Sequence, residues 1–166
     1  MRNWSIKKII KEIVTTLLMV FVVSMVLNYI RKPDNDVVLS NIKVSLISGK
    51  KDSFRGDGSK PIVIHFWATW CPTCKLEAPN LESIKDEAHL ITIAVNSGND
   101  SEIKAFMQER GYTYAVVNDG DEILSKKFNV DVFPTTFIYN SNGSLEFSEV
   151  GYSSTLGLKA RLALTK

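Results

Sequence analysis

The first long apolar run of the chain, Ile13 to Ile30, holds eighteen residues without a charge. As a helix it is long enough to cross most of a hydrocarbon core about 30 Å thick. Later apolar blocks are shorter and of another kind. Pro61 to Trp67 (PIVIHFW) is rich in β-branched and aromatic residues, the pattern of a strand buried on both faces. Leu90 to Val95 (LITIAV) and Tyr114 to Val117 (YAVV) predict two more strands. Between them the period lengthens. Pro72 to about Glu87 reads as a helix with Leu76, Leu81 and Ile84 apolar, Lys75, Glu82, Lys85 and Asp86 polar, and Pro79 bending it. Ser101 to Arg110 is an amphipathic helix stopped by Gly111, and Glu122 to Phe128 a short one.

Alternation returns near the end. Thr135 to Tyr139, a turn at Asn140 to Gly143, and Ser144 to Val150 predict a hairpin, closed by a helix from Leu156 to Leu164. Upstream, Val37 to Phe54 reads as irregular strands or a hairpin around Ser48, Gly49 and Lys50, and Arg55 to Lys60 as a loop. Strands alternating with helices, then an antiparallel pair, predict an α/β fold: a mixed central sheet flanked by helices on both faces. No internal repeat or low-complexity segment interrupts it.

The apolar run divides the chain. A cleaved signal peptide has an apolar core of roughly 7 to 15 residues and a small-residue cleavage site. This run is longer, ends in Tyr29, Ile30, Arg31, Lys32 and Pro33, and the first alanine of the chain is Ala68. The expected organisation is therefore a cytoplasmic N-terminus (1–12), an uncleaved transmembrane anchor (13–30), a linker (31–36) and a globular domain (37–166). Arg2, Lys7, Lys8 and Lys11 outnumber Arg31, Lys32 and Lys43 around the span, which predicts that the globular domain lies on the extracytoplasmic side. Disulfides persist there.

Charge narrows the partners. The formal net charge is +2, but past residue 32 there remain 14 basic and 17 acidic residues, so no basic stripe suggests nucleic acid. The only two cysteines are Cys71 and Cys74, in FWATWCPTCK. With none elsewhere, no disulfide framework holds this domain.

Two thiols separated by two residues can form a disulfide, supply half a metal site, or be buried and inert. Their location favours the first. They sit where the strand through Trp67 meets the helix opening at Pro72, and unpaired backbone N–H groups at a helix N-terminus stabilise a thiolate. Cys71 is then the attacking thiol; Cys74, one turn further in and more shielded, resolves the mixed disulfide. Pro72 suits the first helical turn; Thr73 adds no charge. Zinc would need two further ligands, and His65 and His89 are the only histidines.

The segment FWATWCPTCKLEAP resembles the active-site segment of the thioredoxin superfamily, with Trp70 beside the cysteines and Pro79 as the helix-bending proline. VDVFPTTFIYNSNG resembles the segment carrying that family's cis-proline. The resemblance implies a thioredoxin fold, a cis bond before Pro134, and Phe133 and Pro134 facing the cysteines to hold a substrate's extended backbone. More narrowly, C-x-x-C-x-x-E-x-P with P-T-T-F resembles the membrane-anchored TlpA and cytochrome c maturation branch, in which the residue matching Glu77 tunes the cysteines. The residue-level alternative for Glu77 is an ordinary solvated helix position. VNSGND, VVNDGDEILSKKFNV and GYSSTLGLKARL extend the resemblance to the suppressor-of-copper-sensitivity D group of protein disulfide oxidoreductases.

One position departs from the pattern. His65 stands where thioredoxins carry a buried aspartate that assists proton transfer. It is read as a core histidine satisfied by its neighbours, with a proton relay as the alternative; His89 is read as a surface residue. The function expected is thiol-disulfide exchange with extracytoplasmic protein thiols and disulfides, through the Cys71–Cys74 pair and with no other cofactor or metal. A membrane redox partner would recharge it, in a setting that includes copper tolerance. The alternatives are a cytochrome c maturation-type thiol reductase, or a copper-binding module on the same fold. The latter typically has C-x-x-x-C and a downstream histidine, and no histidine follows His89. A peroxidase needs a threonine three residues before the attacking cysteine, where this chain has Ala68.

Overall fold

The computed structural model describes residues 8, 11–19, 22–23, 39 and 42–165. The chain divides into two units, Met1–Lys32 and Pro33–Lys166. In the first, residues 11–19 and 22–23 are helical and exposed. Much of the expected anchor, and all of the 31–36 linker, lie outside the described residues. Among the described residues no helix is long and apolar enough to cross a membrane.

The second unit opens with an antiparallel hairpin, β1 (Lys43–Ser45) and β2 (Lys51–Ser53). The remaining elements are β3 (Ile62–Trp67), α1 (Pro72–Ile84), β4 (His89–Val95), α2 (Asp100–Arg110), β5 (Ala115–Asp119), α3 (Ile123–Lys127), β6 (Thr135–Tyr139), β7 (Leu145–Val150) and α4 (Thr155–Leu164). Five of the strands form one sheet in the order β5-β4-β3-β6-β7. β3, β4 and β5 run parallel, while β6 pairs antiparallel with both β3 and β7. This is the thioredoxin fold.

Every residue of β3 is buried, as its unbroken apolar run requires. Its alternate side chains feed two cores. Val63 and Trp67 join Leu81 and Ile84 of α1, Ile103 and Met107 of α2, and Leu158 and Leu162 of α4. Ile62, Ile64 and Phe66 join a second layer with Phe54, Phe128, Phe137 and Tyr139. Helices therefore flank both faces unequally. The second face is closed mainly by the β1–β2 hairpin, through Val44 and Leu46, and by the segment leaving α3, through Phe128 and Val130.

Local signals set the boundaries. At α2 the Asn99 side chain accepts the backbone N–H groups of Ser101 and Glu102, and Glu102 accepts that of Asn99, a capping box. Gly111 ends the helix in the left-handed region at φ 70°. α1 stops at Ile84, three residues short of the sequence expectation, and Pro79 lies within it without ending it.

Phe128 locks the second core. Its ring meets Phe54, Phe66 and Phe137 at centroid distances of 5.7, 5.3 and 5.8 Å. Phe128→Ala is expected to destabilise the domain by about 3–5 kcal/mol, through lost burial and the cavity left among three rings. Urea midpoints of the oxidised protein measure it; a loss below about 1 kcal/mol would show that the layer collapses around the gap.

Candidate active site

β3 ends at Trp67, and the chain turns through Ala68, Thr69 and Trp70 into α1. Cys71 is the N-cap of that helix and Pro72 occupies its first turn, where a missing N–H costs nothing. Cys71 and Cys74 form a disulfide with their Cα atoms 5.3 Å apart. The backbone N–H of Cys74 donates to Cys71 Sγ at 3.2 Å, so negative charge that develops on this sulfur faces a helix N-terminus and an amide donor. Both residues are buried, Cys71 5 % and Cys74 2 % exposed, so approach is limited to the outer sulfur.

The neighbours of the outer sulfur come from other elements. The Phe133–Pro134 peptide bond is cis, and the Phe133 carbonyl oxygen lies 3.8 Å from Cys71 Sγ. Pro134 is fixed in turn, its carbonyl accepting the Gly151 N–H at 2.8 Å. Trp70 is 58 % exposed and meets the Phe133 ring edge to face at 5.9 Å. Pro72 is exposed and Thr73 half-buried on the same turn. The structure thus brings Trp70, Cys71, Pro72, Thr73, Cys74, Phe133 and Pro134 to one place.

Glu77 lies one turn beyond Cys74 on the buried stripe of α1, with no exposed surface. Among the described residues, neither carboxyl oxygen finds a hydrogen bond of ordinary geometry. Burial pushes its pKa up to about 8, only partly offset by the nearby Ser153 backbone. The carboxyl is therefore neutral below that pH and gains or loses its proton close to neutrality. A solvated helix position, the alternative left by sequence, is not what the fold makes of it.

His65 is fully buried on the same sheet face as Val63 and Trp67. Nδ1 lies 2.9 Å from Thr136 Oγ1, but Nε2 has no partner among the described residues, so these neighbours satisfy only half of the ring. Desolvation drives its pKa down to about 3, which keeps the imidazole neutral. His89 is less open than a plain surface residue. It is half-buried at the start of β4, with Nε2 2.9 Å from the Ser53 carbonyl oxygen and 3.7 Å from Asp52 Oδ1, so it ties the β1–β2 hairpin to the sheet instead of facing solvent freely.

Sequence reasoning missed the loop after β4. Thr69 donates its N–H to Ser97 Oγ at 3.0 Å, and the Trp70 indole N–H reaches the Asn96 carbonyl at 3.0 Å. The VNSGND segment was visible as a motif, but tertiary bonds to a backbone carbonyl leave no periodic signal. Among the described residues no group of three or more His, Cys, Asp or Glu is placed to hold a metal ion.

The redoxin family model matches residues 40–161, which spans the sheet and this site. A thioredoxin-like protein of Haemophilus influenzae is 28 % identical over 159 residues, 95 % of each chain. The sporulation thiol-disulfide oxidoreductase A of Bacillus subtilis is 32 % identical over 120 residues, 68 % of this chain and 72 % of its own. Among solved structures, a secreted Mycobacterium tuberculosis disulfide oxidoreductase homologous to Escherichia coli DsbE superposes with a TM-score of 0.66 at 25 % identity, covering 78 % of this chain and 99 % of that one.

The Glu77 carboxyl links stability to pH. Its ordinary pKa of 4.5 in the unfolded chain lies below the folded value of about 8, so the unfolded state loses its proton first. Wild-type stability then declines as pH rises through this window and levels off above it. Glu77→Gln has no such ionisation, so its stability advantage over wild type should grow from near pH 4.5 to near pH 8. Parallel stability curves for the two oxidised proteins in urea titrations would mean that Glu77 is ionised throughout.

Proposed function

We propose that this chain, which belongs to the redoxin family, acts as a membrane-anchored thiol-disulfide oxidoreductase of the suppressor-of-copper-sensitivity D type on the extracytoplasmic face of a bacterial inner membrane. Protein thiol-disulfide oxidoreduction is the activity its relatives carry by name, and it is the activity of this chain. One observation carries the mechanism. The Cys71–Cys74 disulfide caps a helix N-terminus and lies against the Phe133 carbonyl that precedes a cis-proline.

In the reducing direction the Cys71 thiolate attacks one sulfur of a substrate disulfide. A mixed disulfide forms, and the other substrate sulfur leaves as a thiolate that takes a proton. Cys74 then gives up its proton, attacks Cys71 Sγ and releases the second substrate sulfur; two electrons pass from the dithiol to the substrate. The ionised fraction of Glu77, one turn beyond Cys74 and titrating near neutrality, takes the proton that Cys74 loses. The oxidising direction is the same path reversed. Trp70, Pro72, Thr73, Phe133 and Pro134 border the outer sulfur and contact the substrate, and the disulfide is the redox group. His65 stays neutral beneath the site and serves as a core residue. No cofactor enters the cycle.

The uncharged run 13–30, the basic residues before it and a relative described as secreted support the anchored, extracytoplasmic placement. A membrane redox partner would restore the spent form, and copper stress, which can misoxidise thiols, is the setting we propose.

Single-cysteine variants test the mechanism. Cys71→Ser is expected to abolish exchange, and Cys74→Ser to accumulate mixed disulfides separable on non-reducing gels; full turnover by either variant would remove the dithiol mechanism. Equilibration with glutathione then fixes the direction: a potential near −270 mV identifies an electron donor, one near −120 mV a disulfide donor.

A further inference from the structure

We infer that Asn96 and Glu122 are positioning residues that hold Trp70 as a preformed platform for protein substrates beside Cys71. The inference rests on the oxidoreductase reading above and adds to it how a large substrate is held. Trp70 is mostly exposed, so packing alone does not orient it. It has two holds: the edge-to-face contact with Phe133 at 5.9 Å, and the indole N–H donated to the Asn96 carbonyl at 3.0 Å. The direction of that carbonyl sets the plane of the indole.

The carbonyl is aimed by an unusual backbone. Asn96 lies in the left-handed region at φ 45° and Glu122 at φ 55°, conformations that are uncommon outside glycine and, for a glutamate, without the local help that asparagine finds. The two are joined. The Asn96 side-chain amide donates to Glu122 Oε1, and the Glu122 Oε2 pairs with Lys126 at 3.1 Å. Both backbone N–H groups converge on one carbonyl, that of Asp119 at the end of β5, at 3.5 Å from Asn96 and 3.2 Å from Glu122. Asp119 is itself buried, and its carboxylate accepts the N–H groups of Leu124 and Ser125 at the start of α3.

A continuous set of contacts thus runs from the end of β5 through Glu122, Asn96 and Trp70 to Phe133 and the outer sulfur. Neither Asn96 nor Glu122 belongs to either apolar core, and glycine would adopt both backbones without strain. Their side chains are accounted for by the bond between them. A platform ordered before the substrate arrives spares that ordering on docking. The benefit falls to substrates large enough to lie across the indole and Phe133, those with an apolar or aromatic residue next to the target cysteine. A small disulfide reaching only Cys71 Sγ gains nothing.

The test compares insulin, a protein disulfide, with oxidised glutathione as substrates of the full-length protein, with dithiothreitol as electron source. Glu122→Ala and Asn96→Gly are each expected to raise KM for insulin about 3- to 10-fold, with kcat and the oxidised glutathione rate unchanged. Glu122→Gln keeps an acceptor oxygen and should restore the wild-type KM; the double variant should be no worse than the weaker single one, because both remove one interaction. An unchanged insulin KM, a Glu122→Gln variant as impaired as Glu122→Ala, or equal slowing with both substrates would overturn the positioning role. A wild-type protein inert toward both substrates would instead bring down the oxidoreductase reading beneath it.

Discussion

Strand β3 is buried on both faces and ends where α1 begins, and the site follows from how its neighbours run. β4 is parallel to it, so β4 also ends at that edge and delivers Asn96 and Ser97. β6 is antiparallel, so it begins there and delivers Phe133 and Pro134. Three loops that are distant in sequence meet at Cys71 because one strand has a parallel partner on one side and an antiparallel partner on the other. The reactive sulfur needs no loop of its own to be positioned.

Burial, not a nearby charge, sets the protonation of the site. Glu77 and His65 are both fully buried, and desolvation is the leading cause of shift for each. The sign differs because burial disfavours whichever form is charged. The carboxyl is raised into the neutral range, where it can exchange a proton during a redox cycle; the imidazole is lowered far from it and stays neutral. Of the two buried groups, only Glu77 has a pKa near neutrality.

What the sequence revealed follows from which forces leave a periodic trace. β3 and β4 were legible as unbroken apolar runs, α2 through its amphipathic pattern and Gly111, and the cysteines through their position between a strand and a helix. The burial of Glu77 was legible only in part. It shares a helical face with Cys74 and Leu81, but one carboxylate on such a face is more often solvated. The tie that half covers His89 was not legible because the hairpin that makes it comes from far upstream. The Asn96 carbonyl could not have been read at all: its role depends on backbone direction and on an indole 26 residues away.

The chain spends its only two cysteines on chemistry, which constrains how the fold is held. A bond between positions three apart closes a short loop, the case in which a disulfide restricts the unfolded chain least. Its reduction in every cycle must leave the rest of the domain in place. The layers on either side of β3 meet that need without it, one through α1, α2 and α4, the other through rings packed on Phe128. The spacing of the two sulfurs is kept in the same way, because residues three apart on a rigid helix remain neighbours whether or not they are bonded. α1 therefore serves as scaffold and as electrostatic partner, and both roles persist when the disulfide opens.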